Sequence, residues 1–170
     1  MFGTKRKFCR VYFLAWVLLL GYSADSEAQS LHAIEDKLAI AEQLASYSYR
    51  WDAKDAEGFS DLFADDGVME RCRADELVKT SRVTGRQAIF DYAKRSYEGR
   101  LADRQSRHHF SALVFRELSE SVAITENLAL ITHQTEDSRV PFITASGIYR
   151  NTWTKTSRGW KISKRVLCID

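Results

Sequence analysis

Asp52, His109 and His133 are the residues whose types and placement suit acid–base chemistry. Ile34, Leu38, Ala41, Ala45, Tyr49 and Asp52 recur at steps of four, three, four, four and three, the period of one helix face. Asp52 therefore continues an apolar stripe. A carboxylate held there costs several kcal/mol unless it is paired or hydrogen-bonded, so a partner is expected. The alternative is that Asp52 caps the next helix, a position Asp favours.

The two histidines are the natural partners. If the hairpin after the strand around His109 turns at Ser121, His109 and His133 lie opposite each other with β-carbons roughly 5 Å apart. One imidazole then serves as base, the second tunes it, and Asp52 fixes the tautomer. The pairing depends on register: a slip of one residue turns His133 to the other face, and a turn at Glu126-Asn127 separates the pair. His108 is the expected structural histidine. Tyr49 and Tyr149 can bring hydroxyls to a pocket, although the aromatic residues in general are expected in the core.

Other chemistries lack their signatures. There is no G-x-S-x-G elbow, and Cys168 has no activating neighbours in sequence. No G-x-G-x-x-G or Walker loop occurs, so no nucleotide cofactor is expected; no C-x-x-C or Cys/His ligand spacing occurs, so no metal is expected.

The elements that must position these residues follow from periodicity and turn chemistry. One helix is predicted over Leu31 to Asp52, a short one over Ala56 to Phe63 with Asp55 as N-cap, and a third from Gly85 to about Tyr97. Val68 to Arg73 reads as a strand after the Asp65-Asp66-Gly67 turn. Alternation around His109 to Phe115, a return over Val122 to Thr135, and a pair over Gly147 to Lys155 and Trp160 to Ile169 supply the rest. Helices followed by antiparallel strands predict an α+β domain.

The first residues read as a leader. Lys5, Arg6, Lys7 and Arg10 precede an unbroken apolar run from Val11 to Leu20, and Ser26-Glu27-Ala28 is a cleavage site of small-residue type. That run is about half the roughly 20 residues of a bilayer-spanning helix, so no stable membrane anchor is expected. The reading divides the chain into a signal peptide over 1–28 and one domain over 29–170, exported to the periplasm or beyond. Cys72 and Cys168 stay in that domain, where an oxidising compartment permits them to pair.

The 170 residues carry 25 Lys+Arg and 23 Asp+Glu. The leader holds four of the basic and two of the acidic residues, which leaves 21 of each. A neutral domain argues against a nucleic-acid partner and for an apolar pocket as the working surface.

Several stretches resemble the SnoaL-like branch of the nuclear transport factor 2-like (NTF2-like) superfamily: Tyr49-Arg50-Trp51-Asp52-Ala53-Lys54-Asp55, Leu62-Phe63-Ala64-Asp65-Asp66-Gly67, Gly85-Arg86-Gln87-Ala88-Ile89, Arg107-His108-His109-Phe110 and Gly159-Trp160-Lys161-Ile162. The resemblance runs from Ile34 to Ile169. It implies a cone-shaped, curved antiparallel sheet with three N-terminal helices packed on it, a deep apolar pocket and a homodimer. The scytalone dehydratase-like pattern puts the catalytic Asp on Asp52, the base on His109 and the second His on His133. Trp51 stands where that pattern has a substrate-holding tyrosine, and Tyr149 falls near its pocket asparagine. The expected activity is that of a cofactor-independent lyase or isomerase for a small, largely apolar cyclic carbonyl or hydroxyl compound. The alternative is a non-catalytic module of the same fold that binds a hydrophobic ligand or another protein.

Overall fold

In the computed structural model, backbone is described from residue 10 and side chains from residue 29; the leader expected over 1–28 lies outside the residues whose side chains are described. The chain divides into two units, Met1–Leu38 and Ala39–Asp170. Helix α1 (Arg10–Asp52) begins in the first and ends in the second. Leu31, Ile34 and Leu38 are exposed. No helix among the described residues is long and apolar enough to cross a membrane.

The apolar stripe of α1 differs from the expected one. Ile40, Leu44, Tyr47 and Trp51 are the buried residues, at steps of four, three and four, whereas Ala45 and Tyr49 face out. Both stripes satisfy helical periodicity, and the one carrying the larger side chains is buried because it removes more apolar area from water. Asp52 sits beside Trp51 at the edge of the buried face, its side chain only 10% exposed.

Helix α2 (Ala56–Asp61) follows a three-residue turn. Asp55 caps it, its carboxylate accepting the Gly58 N–H at 2.8 Å and pairing with Arg50. Asp52 is thereby free of the capping role. Helix α3 (Arg86–Glu98) begins after Gly85, whose φ of 90° suits a residue without a β-carbon.

The sheet comprises β1 (Phe63–Arg73), β2 (Glu76–Leu77), β3 (Val83–Thr84), β4 (Arg104–Leu118), β5 (Val122–Thr135), β6 (Phe142–Thr156) and β7 (Gly159–Ile169). Its order is β2-β1-β7-β6-β5-β4, with β3 also on β1. The sheet is curved and unclosed. It is mixed rather than wholly antiparallel, because β1 and β7 run parallel and register Cys72 against Cys168. A disulfide joins these cysteines across 96 residues of sequence. Gly147 on β6 lies so close to the Cys168 carbonyl that a β-carbon there would collide with it.

Aromatic residues fill the space between helices and sheet. Phe59, Phe63, Trp153 and Trp160 are at most 2% exposed, and Tyr47 and Trp51 both meet Phe59 edge-on at 4.9 Å between ring centroids. Each such burial contributes about 1.5–3 kcal/mol before chain entropy is counted.

Candidate functional site

The site is built where the end of α1 crosses β4. Two bulges, between Ser111 and Val114 and between Phe115 and Glu117, each place an extra residue in β4; Ala112, in the first, has a φ of 51°. The two bulges move the hairpin register by two residues and a turn between Glu120 and Ser121 rather than on Ser121 moves it by one more, so that His109 faces Leu130 and His133 faces Ser106. The displacement is three residues, an odd number, and it reverses the face on which His109 lies relative to His133. The expected opposition of His109 and His133 does not occur. His109 is exposed on the far face, its ring 3.2 Å from the Thr132 hydroxyl.

His108 takes the place expected of His109. Its backbone N–H donates to Asp52 Oδ2 at 2.9 Å and its ring Nδ1 lies 2.8 Å from Asp52 Oδ1. The Ser106 hydroxyl donates to the same Oδ1 at 2.8 Å. Burial pushes the Asp52 carboxyl up, but the His108 ring, its positive charge when protonated, its N–H and the Ser106 hydroxyl outweigh this and hold it below the usual carboxylate range. An ionised carboxylate only accepts, so Nδ1 carries the hydrogen and Nε2 is left as the basic nitrogen. The His108 side chain is 5% exposed.

His133 joins from β5. Ser106 and His108 share a face of β4, so His133, opposite Ser106, is a diagonal neighbour of His108. Its Nδ1 is buried and has no hydrogen-bond partner in the protein. Burial, together with the positive charges of Arg104 and Arg100, lowers its affinity for a proton below that of an ordinary histidine.

His108 and His133 line a cavity of about 250 Å³ with Tyr47, Trp51, Tyr92 and Tyr149. Arg165 of β7 enters the same cavity. Its guanidinium lies against the rings of both Tyr47 and Tyr149, at 3.4 and 3.7 Å from their centroids. Such contacts are worth about 0.5–2 kcal/mol each when desolvated. Burial raises the Tyr47 hydroxyl well above the usual phenol range, against the pull of Arg165, so it remains a donor at neutral pH.

A second, more open groove of about 800 Å³ runs between α1 and β4, with Ala41, Leu44, Ala45, Tyr49, Phe110 and Leu113 among its lining. Asp52 and His108 border it as well. Of the residues singled out in the sequence, the structure brings Trp51, His133 and Tyr149 to the smaller cavity, with Asp52 behind His108; Tyr49, 78% exposed, belongs to the groove, which His109 also borders while its ring lies on the outer sheet face beside Thr132. The sequence makes His108 a structural residue and does not single out Tyr47 or Arg165. Strand parity could have found Arg165, since Arg165, Leu167 and Ile169 alternate toward the cavity, but the basic run Lys161-Ile162-Ser163-Lys164-Arg165 hides it.

Among the described residues, Cys72, Asp75 and Cys168 bring ligand atoms within 4.8 Å of one another, but the two sulfurs are bonded to each other.

A family model described as SnoaL-like domain matches residues 32–166. Among solved structures, the chain is similar to a protein of unknown function from Mycobacterium tuberculosis, at 26% identity and a TM-score of 0.65, over 78% of this chain and 75% of that one. It is also similar to an NTF2-like protein with a cystatin-like fold from Novosphingobium aromaticivorans (22% identity, TM-score 0.69, 84% and 86% covered). A scytalone dehydratase-like protein from the same organism shares 24% identity at a TM-score of 0.63, over 86% and 88% of the two chains. Among curated proteins, none matches the chain.

Proposed function

The chain belongs to the SnoaL-like domain family, which includes isomerases, dehydratases and cyclases, and we propose that it is a lyase or isomerase working by acid–base chemistry on a small cyclic carbonyl or hydroxyl compound. The observation that carries this reading is the double contact of Asp52 with His108 at the wall of an aromatic cavity.

In the proposed reaction the substrate lies in that cavity. Nε2 of His108 takes a proton from a carbon next to an electron-withdrawing group, and the imidazolium that forms is stabilised by the ionised Asp52. In a dehydration the C–H and C–O bonds break, a C=C bond forms, and the proton leaves with the hydroxyl as water. In an isomerisation the proton returns to another carbon. His133 and Tyr149 hold the oxygen that leaves or becomes enolic, and Trp51 supports the ring. General acid–base catalysis supplies about 10² to 10⁴ in rate, and orientation within the cavity supplies further acceleration.

The natural substrate need not be identified for the test. Cyclic ketones are incubated with the protein in deuterated water and followed by NMR for exchange of the hydrogens α to the carbonyl. Exchange that His108→Ala abolishes in a folded protein supports the reading; exchange that survives at full rate overturns the base assignment.

A second reading is favoured by the open groove between α1 and β4, whose apolar lining suits a hydrophobic ligand without chemistry. Ligands that raise the melting temperature while no compound exchanges would favour it. In either case we take the protein to be exported, since a Cys72–Cys168 bond suits an oxidising compartment. A homodimer is supported by the exposed Leu128 and Leu130 beside His109 on the outer sheet face.

A further inference from the structure

Arg165 is 2% exposed, and none of its three guanidinium nitrogens has a hydrogen-bond partner in the protein. Arginine does not deprotonate in proteins, so this is a buried, permanently charged donor. Ring contacts from Tyr47 and Tyr149, whose planes stand 63° apart, lie against the guanidinium. They do not account for its edge, where the N–H groups lie. A buried cation whose donors go unused is costly in isolation, and it is retained most simply where a ligand completes it.

The other charges of the cavity agree. Arg71, Arg100 and Arg165 line it, against one carboxylate, Glu70. Glu70 is already paired with Arg82 at 2.7 Å and Lys164 at 2.9 Å, so it does not neutralise Arg165. Arg71 donates to the Tyr92 hydroxyl and Arg100 to Ser96. His133 adds an orphaned ring nitrogen to the same wall.

We propose that the edge of the Arg165 guanidinium is the binding site for a carboxylate group of the ligand. The choice of carboxylate follows from shape. A guanidinium presents its N–H groups as pairs in one plane, and a planar two-oxygen anion meets such a pair in parallel bonds. The cavity of about 250 Å³ lies below the common range of ligand pockets, roughly 300–1,000 Å³, and its walls are aromatic. A small, flat ring bearing one carboxylate fits these constraints. The inference deepens the reading of this cavity as the substrate site, making the substrate an acid; the binding itself is tested without turnover.

Benzoate and its neutral isostere benzamide are titrated into the full chain by calorimetry and thermal melting. Benzoate should bind saturably and raise the melting temperature, with benzamide at least tenfold weaker. Arg165→Met should fold, since an apolar side chain of similar length replaces an unpaired charge, and should lose at least tenfold in benzoate affinity. Arg165→Lys, which keeps the charge but not the fork, should fall between. Equal binding of the two probes, no benzoate binding, or unchanged affinity in Arg165→Met would overturn the proposal. Asp52→Asn separates it from the catalytic reading. If that variant loses deuterium exchange but keeps benzoate, both stand; if it keeps exchange and benzoate, the catalytic reading alone fails.

Discussion

Asp52 grips His108 by two groups at once, accepting the backbone N–H on one carboxylate oxygen at 2.9 Å and facing ring Nδ1 with the other at 2.8 Å. The backbone contact fixes where β4 passes the end of α1, and the ring contact fixes the tautomer. Position and tautomer are thus set by one carboxylate.

Asp52→Asn should retain the fold and reduce deuterium exchange by about 10² to 10⁴, because an amide neither stabilises the imidazolium nor enforces Nδ1–H. Asp52→Ala should also destabilise the fold by about 1–3 kcal/mol, since the buried His108 N–H and Ser106 hydroxyl lose their acceptor. Urea denaturation with parallel exchange assays separates the two effects.

His109→Ala should leave exchange unchanged, because its ring lies on the outer sheet face beside Thr132. An exchange rate lowered as far as in His108→Ala would return the catalytic role to His109.

Stability should fall on mild acidification. Burial depresses the proton affinity of His133 below the unfolded value near 6.5, so the unfolded chain binds the proton first. The contribution is complete above about pH 6.5 and is lost as pH falls toward the folded value. Asp52 acts in the same direction lower down: its depressed folded value makes its contribution present above about pH 4 and lost below. His133→Gln should flatten the urea midpoint just below about pH 6.5 and leave the limb below about pH 4 in place.

Reduction of Cys72–Cys168 should lower stability by about 4–5 kcal/mol on the chain-entropy account, because the bond closes a loop of almost a hundred residues. Thermal melts with and without reductant check this, with Cys72→Ser as the genetic equivalent.

Gly147→Ala should destabilise by about 1–3 kcal/mol, since the new β-carbon must displace the Cys168 backbone rather than a flexible side chain. The chemical denaturation midpoint reports it.

The sequence by itself determined the order of the longer elements, the Asp55 cap, the family likeness and the need for a partner at Asp52, because capping chemistry and periodicity are local, whereas the expected Asp65-Asp66-Gly67 turn lies within β1 and the short strands β2 and β3 are not among the expected elements. It brought Trp51, His133 and Tyr149 forward as site residues, and the fold places all three on one cavity. Tertiary structure alone decided which of two adjacent histidines Asp52 meets. Neighbouring strand residues face opposite ways, and two bulges in β4, invisible in composition, together with a turn between Glu120 and Ser121 rather than on Ser121, displace the register by three residues. The same limit applies to α1, where two stripes share one period and only packing chooses Ile40, Leu44, Tyr47 and Trp51. Arg165 reads in sequence as one basic residue among several. It becomes a buried cation with unpartnered N–H groups only when β7 is laid beneath Tyr47 and Tyr149.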